Sequence, residues 1–152
     1  MHLAHYLGLL HRAKINLAAA FREVREAHQE ESDVFHLCGV LAGQCDAHAE
    51  QLEPFARRYG EDAPDEPDRL HSELFHGPRQ GGLGVLRDLH DLYLMASECD
   101  MAWTVVGQAA QGIRDNELFE VVQRCEGETA GQLEWLRSRM KEAAPQALVV
   151  AR

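Results

Sequence analysis

Polar side chains interrupt four long apolar patterns at positions where a helical protein normally places hydrophobic residues. In the first pattern, Lys14 takes the core-facing position between Leu10 and Leu17, in a series that advances by alternating steps of four and three residues. The corresponding polar positions of the other three patterns are, in chain order, Cys45 and His48, then Glu98, then Thr129 and Gln132. An ammonium, a carboxylate, an imidazole and two neutral polar groups could form a buried hydrogen-bonded network, because buried polar groups need partners.

The same residues suggest two further kinds of chemistry. Cys45 and His48 are three residues apart on one helix face, and with Glu98 and Glu128 they could form a mononuclear site for Zn, Fe or Mn. Cys45 and Cys125 both lie in mid-pattern positions and could approach each other as a thiol pair. The alternative for all four cysteines is that they are buried free thiols, since each is embedded in an apolar helical pattern.

The elements that must position these residues are four long helices in a single domain spanning residues 1–152. The patterns predict helices over residues 3–30, from Ser32 to about Tyr59, from about Leu83 to Gln111, and from an N-cap at Asp115 to about Ala143. We expect Pro145 to lie just beyond the last helix. Residues 60–82 are rich in Pro, Gly and acidic residues and form the only long connection, with one short amphipathic piece at 68–76.

These lengths predict an all-α four-helix bundle made of two antiparallel hairpins joined by one long crossover at about residues 60–82. The two short connections each force an antiparallel pair, so the long connection must travel the length of the bundle. We expect the third helix to start at the end of the bundle where the first helix starts.

The first two helices resemble members of the ferritin-like superfamily. The segment HRAKINLAAAF is similar to the family segment in which a metal-binding Glu precedes an aromatic residue seven positions on, here Phe21, and Lys14 stands at the Glu position. The segment CDAHAEQL resembles the family motif ExxHAxxL, with His48 retained and Cys45 at the Glu position.

The last two helices extend the resemblance. Glu98 falls where the family has an isolated Glu, and VVQRCEGETAGQLEWL resembles the ExxHxxWL stretch. Aligned on Trp135, that stretch places Thr129 at the Glu position and Gln132 at the His position. The resemblance implies a ferritin-like fold whose di-iron site is degenerate, because only His48 and Glu98 of the six ligands remain.

We interpret the centre of the bundle as a polar core in which Lys14 and Glu98 form a buried ion pair in place of metal. His48, Gln132 and Thr129 complete the network. On this interpretation Lys14→Met strands a buried carboxylate and costs about 3–5 kcal/mol of stability. No cofactor is then expected, with a single Zn or Fe held by His48, Glu98, Cys45 and Glu128 as the alternative.

Composition and charge limit the kinds of partner that the protein is expected to bind. The formal net charge of −10 argues against nucleic acid and against an anionic membrane surface. The sequence shows neither a signal peptide nor a membrane span, so we expect a cytoplasmic protein. The third predicted helix (LHDLYLMASECDMAW) is apolar over more than one face, which predicts a homodimer.

Two functions remain open at this point. The first is a non-catalytic ferritin-like protein that dimerises and binds an unknown protein or small molecule. The second is a metal-binding oxidoreductase or metal-handling protein with a rewired site. The motifs of other enzyme classes, namely a nucleophile elbow, a phosphate loop and a dinucleotide fingerprint, are absent from the sequence.

Overall fold

The computed structural model describes residues 1–60, 65 and 70–150, and within these ranges it contains helices and no strand. The four α-helices are α1 (Leu3–Ala27), α2 (Ser32–Gly60), α3 (Gly81–Gly112) and α4 (Asn116–Pro145). A short π-helix follows α4 over Gln146–Val150 and is called the tail helix below. The predicted all-helical class and the four-helix count are confirmed.

The helix boundaries differ from the predicted ones in a few places. Helix α1 ends at Ala27 instead of residue 30, and α3 begins at Gly81, two residues before Leu83. Residues 70–80 have no regular secondary structure, so the predicted amphipathic piece at 68–76 is not helical where it is described; residues 68 and 69 lie outside the described residues. Pro145 is the last residue of α4 instead of lying beyond it, and the chain continues into the wider tail helix.

Contacts between helix ends establish the arrangement of the bundle. Helix α1 packs against α2 and α3, and α4 packs against α3 and α2. His28, after the end of α1, contacts Asp88 near the start of α3, and Arg139 near the end of α4 contacts Asp33 at the start of α2. Neighbouring helices therefore run antiparallel. The chain leaves α2 at one end of the bundle and enters α3 at the other.

We predicted that α3 begins at the end of the bundle where α1 begins, and this prediction was wrong. Helix α2 returns the chain to the end where α1 starts, and the long connection carries it back, so α3 begins where α1 ends. The contact between His28 and Asp88 fixes this, because its Nε2 to Oδ2 distance is 2.7 Å.

A continuous apolar core fills the space between the four helices. Leu7, Leu10, Leu17 and Phe21 of α1 are fully buried, as the step pattern of their sequence predicts. Burying each such side chain stabilises the fold by about 1.5–3 kcal/mol. At Gly107 a Cβ would lie 3.1 Å from a methyl group of Val122, so the small residue allows α3 and α4 to approach closely. None of the described helices is long and apolar enough to cross a membrane.

A polar clasp attaches the end of the connection to α3 and to the end of α1. Asp88 is fully buried and accepts hydrogen bonds from the backbone N–H of Arg79 (2.9 Å) and from its guanidinium (2.8 Å). His28 also contacts this carboxylate, and the guanidinium reaches Asp91 at 2.8 Å. A Cβ at Gly84 would lie 3.0 Å from the carbonyl carbon of Arg79, so the glycine at this position allows the close packing.

Candidate functional site

The side chain of Lys14 ends in the middle of the bundle, with no exposure to solvent. Its Nζ donates a hydrogen bond to Thr129 Oγ1 at 2.9 Å and lies 5.6 Å from the centre of the Trp103 ring. A buried ammonium loses its hydration, which a hydrogen bond and a cation–π contact offset only in part.

Thr129 connects three helices at this point. Its hydroxyl accepts from Lys14 of α1 and from the indole N–H of Trp103 of α3 at 3.0 Å, and it donates to the backbone carbonyl of Cys125 at 2.8 Å. A hydroxyl has one donor and two acceptor sites, so all of its hydrogen-bonding capacity is used. The Thr at the predicted metal-ligand position therefore serves as the acceptor for a lysine.

The structure does not form the predicted ion pair between Lys14 and Glu98. Within the described residues, no carboxylate lies within ion-pair distance of Nζ. Glu98 is half-buried on the flank of α3, since the neighbouring Cys99 is fully buried and takes the core-facing position. Successive helical residues are about 100° apart, so the two side chains leave α3 in different directions. Burial raises the pKa of Glu98, with His71 acting in the opposite direction.

His48 is the predicted ligand that the structure does bring to the bundle centre. It is fully buried, and its ring packs edge-on against Trp103 with centroids 5.8 Å apart. Its Nε2 lies 3.3 Å from Glu128 Oε1, while Nδ1 is buried without a hydrogen-bond partner in the described part of the chain. Burial, followed by the positive charge of Lys14, lowers the pKa of His48 to about 4, so the imidazole is neutral at pH 7.

The two mid-bundle cysteines bind different partners. Cys45 Sγ lies 3.6 Å from Nε2 of Gln132, whose amide also donates to Gln44 at 3.1 Å. Cys125 Sγ is 4.0 Å from Gln51 Oε1, and both cysteines are free thiols. Burial raises the pKa of Cys45 and raises that of Cys125 to about 11. The protonated thiol is the favoured form, which is a poor nucleophile and a poor metal ligand.

The predicted metal ligands do not form a site. No group of three His, Cys, Asp or Glu side chains among the described residues could hold an ion. His48 and Glu128 are close, but Glu98 points to the flank of α3. Burial raises the pKa of the Cys45 thiol and favours its protonated form, although the charge of Lys14 acts in the opposite direction. A cation at this place would face the charge of Lys14. The arrangement present does not fit a metal centre.

Glu98 instead lines a cavity of about 220 Å³ between α1, the connection and α3. Leu9, Met95 and Phe75 supply its apolar walls. The ionisable side chains of the lining are Arg12, Glu23, His71, Glu73 and Glu98.

Sequence reasoning missed two parts of the centre. No role at the centre is predicted for Trp103 from the sequence, although a buried indole N–H needs an acceptor and Thr129 is a polar residue in mid-pattern. Gln44 gives no periodic signal, because it precedes the core-facing position of α2 by one residue.

Comparisons with known proteins give no further guide, as no family model, curated protein or solved structure matches the chain.

Proposed function

We propose that this chain is a ferritin-like bundle without a di-iron centre that acts as a non-catalytic, dimerising binding protein. The observation that carries the proposal is the buried Lys14, whose ammonium lies where the resemblance places a metal-binding carboxylate. A lysine ammonium has no lone pair with which to bind a metal, and its charge repels dications.

Dimerisation is supported by an apolar stripe on the outer side of α3. Leu94, Met101 and Val105 lie on one face of the helix and are 45%, 62% and 43% exposed. Toward the end of α3 the stripe reaches an almost wholly apolar groove of about 420 Å³ between the start of α1 and the last turns of α3. A second copy would bury this surface, and the network at the bundle centre would remain intact.

The cavity beside Glu98 is our candidate for binding a small molecule. The cavity lining contains more carboxylates (three) than basic side chains (two). Glu98 is half-buried in the cavity wall, and a bound cation would stabilise its charged form. A small organic cation such as a diamine fits this lining, with its carbon chain against Met95 and Phe75. An NMR titration with 1,4-diaminobutane should shift amides of α1 and α3 around the cavity. Glu98→Gln should abolish those shifts, and shifts elsewhere would rule out this site.

Measuring the metal content tests the proposal that the protein is non-catalytic and has no di-iron centre. Untagged protein purified from cells supplemented with Fe, Zn and Mn should contain metal well below one equivalent. Stoichiometric metal that disappears in His48→Ala would overturn the proposal. A Glu50→Ala variant, changed at an exposed position of the same helix, is the matched control.

The metal-binding alternative has one observation in its favour. His48 and Glu128, two of its four ligands, lie 3.3 Å apart. If a metal binds at this pair, Glu128→Gln should lower the metal content as His48→Ala does. Glu98→Gln should leave it unchanged, because Glu98 lines the flanking cavity.

A further inference from the structure

The tail helix is the most exposed apolar segment that the structure describes. Leu148, Val149 and Val150 are 65%, 81% and 61% exposed and follow one another in the chain. The tail helix contacts α3 and α4 at the end of the bundle where α3 begins. Three consecutive aliphatic side chains facing water are unfavourable, which indicates a surface that covers them.

The apolar groove at the opposite end of the bundle has complementary chemistry. It is lined by Tyr6 of α1, by Val105 and Val106 of α3 and by Ile113 after it, and almost none of its lining is polar. A chain cannot fill its own groove, because the two sites are separated by the length of α3. That helix has 32 residues and is therefore about 48 Å long.

We propose that the tail helix of one copy seats in the apolar groove of a second copy, twice, across a two-fold axis. The proposal rests on the dimerisation proposed above and specifies its geometry. Two α3 helices packed antiparallel about a point between Ser97 and Glu98 bring Leu94 of each copy beside Met101 of the other. The same axis brings Leu83, at the start of α3, opposite Gly112 beside the partner copy's groove.

Along the direction of α3, this symmetry brings the tail helix of each copy to the end of the interface where the partner copy's groove lies. The stripe forms the middle of the interface, and a tail–groove contact lies at each end. The partner copy thus contributes Leu148, Val149 and Val150 to a groove that is incomplete in one chain. Both halves are apolar, so the contact also avoids bringing the acidic surfaces of two chains with a net charge of −10 into its centre.

Directional cross-linking between two single-cysteine additions tests the contact. One preparation carries Ile113→Cys and the other Val149→Cys, and the native cysteines are all buried. Mild oxidation of the mixture should give a disulfide-linked dimer with a 113–149 peptide, and neither preparation alone should give one, since the like positions lie at opposite ends. Val40→Cys, exposed on α2, replaces Val149→Cys in the matched control and should give no cross-link.

Sedimentation measurements distinguish a dimer that lacks the tail–groove contact from a chain that does not dimerise. Val149→Asp should fold normally, since Val149 is 81% exposed in one chain, and should raise the dimer dissociation constant at least about tenfold. A dimer that gives no 113–149 link and tolerates Val149→Asp would overturn the tail contact and leave the proposed dimer standing. A monomer at all concentrations would overturn both.

Discussion

At the scale of single residues, the ammonium of Lys14 determines the chemistry of the bundle centre. It is fully buried, it is bonded to Thr129 and it lies near the Trp103 ring, with no described carboxylate paired to it. Its charge lowers the pKa of His48 and opposes the burial that raises the pKa of Cys45. After burial, which is the larger cause in both cases, the charge of Lys14 thus affects the ionisation of both neighbours.

The effect of Lys14→Met follows from this arrangement and reverses the expectation from the sequence. No buried carboxylate is stranded, and Thr129 keeps its bonds to Trp103 and to the carbonyl of Cys125. Removing a desolvated charge should leave the free energy of unfolding unchanged or raise it by about 1–2 kcal/mol. Urea unfolding measures the change.

A double-mutant cycle of Lys14→Met with Glu98→Gln is the control. The two changes should be additive within about 0.5 kcal/mol. The opposite result would be a free energy of unfolding about 3 kcal/mol lower in Lys14→Met, with the loss removed when Glu98→Gln is added. That result would show that Lys14 and Glu98 form the ion pair predicted from the sequence.

His48 should make stability depend on pH. Its pKa is about 4 in the folded protein and 6.5 when unperturbed, so the unfolded state binds the proton first as pH falls. The stability that its neutral form provides is complete above pH 6.5 and is lost between there and pH 4, by up to about 3 kcal/mol. Unfolding curves across this range should therefore show a flatter pH dependence in His48→Gln. Identical slopes for both proteins would disprove the low pKa.

The cysteines should be unreactive in the folded protein. Burial raises the pKa of Cys38 and Cys99 to about 12 and that of Cys125 to about 11, and Cys45 shifts the same way. Mass spectrometry should find no iodoacetamide adduct at neutral pH without denaturant and four adducts in guanidinium. Labelling of Cys45 in the folded state would revive the thiol chemistry considered from the sequence.

At the scale of helices, the bundle depends on the clasp between the connection and α3. The Asp88 carboxylate receives the backbone and the guanidinium of Arg79 and the ring of His28. Asp88→Asn should lower the free energy of unfolding by about 2–4 kcal/mol, because it leaves buried donors without a charged acceptor. Hydrogen exchange should show faster exchange in residues 70–80. Asp100→Asn on the same helix is the control, and equal exchange in both variants would contradict the role of the clasp.

Periodicity predicted the four helices and the core face of α1, because the steps of four and three in α1 leave only one side for Leu10, Leu17 and Phe21. The predicted core face of α3 was wrong, since Leu94, Met101 and Val105, which share the pattern of Glu98, are exposed. The position of Glu98 could not be predicted in this way. Cys99 and Glu98 are adjacent, and the sequence alone does not show which of the two points inward. The partners of Lys14 could not be predicted from local periodicity either, since Thr129 lies 115 residues away along the chain.

At the scale of the whole molecule, the outer face of α3 is the feature that one chain leaves unexplained. Met101 is 62% exposed in the middle of that face. Met101→Asp should weaken the proposed dimer by roughly 2 kcal/mol, or about 30-fold in Kd. Sedimentation across a concentration series measures this. Val40→Asp, changed at an exposed apolar site on α2, should not alter the dimer, and an equal effect of both variants would exclude α3 as the interface.

A crystal structure of untagged protein, with anomalous data collected above the Fe and Zn absorption edges, tests whether Lys14 occupies the bundle centre in place of metal. We expect no anomalous peak at the bundle centre, with Lys14 Nζ within hydrogen-bond distance of Thr129 Oγ1 beside Trp103, as in the present structure at 2.9 Å. An anomalous peak bound by His48, with the Lys14 side chain turned away from Thr129, would contradict this expectation.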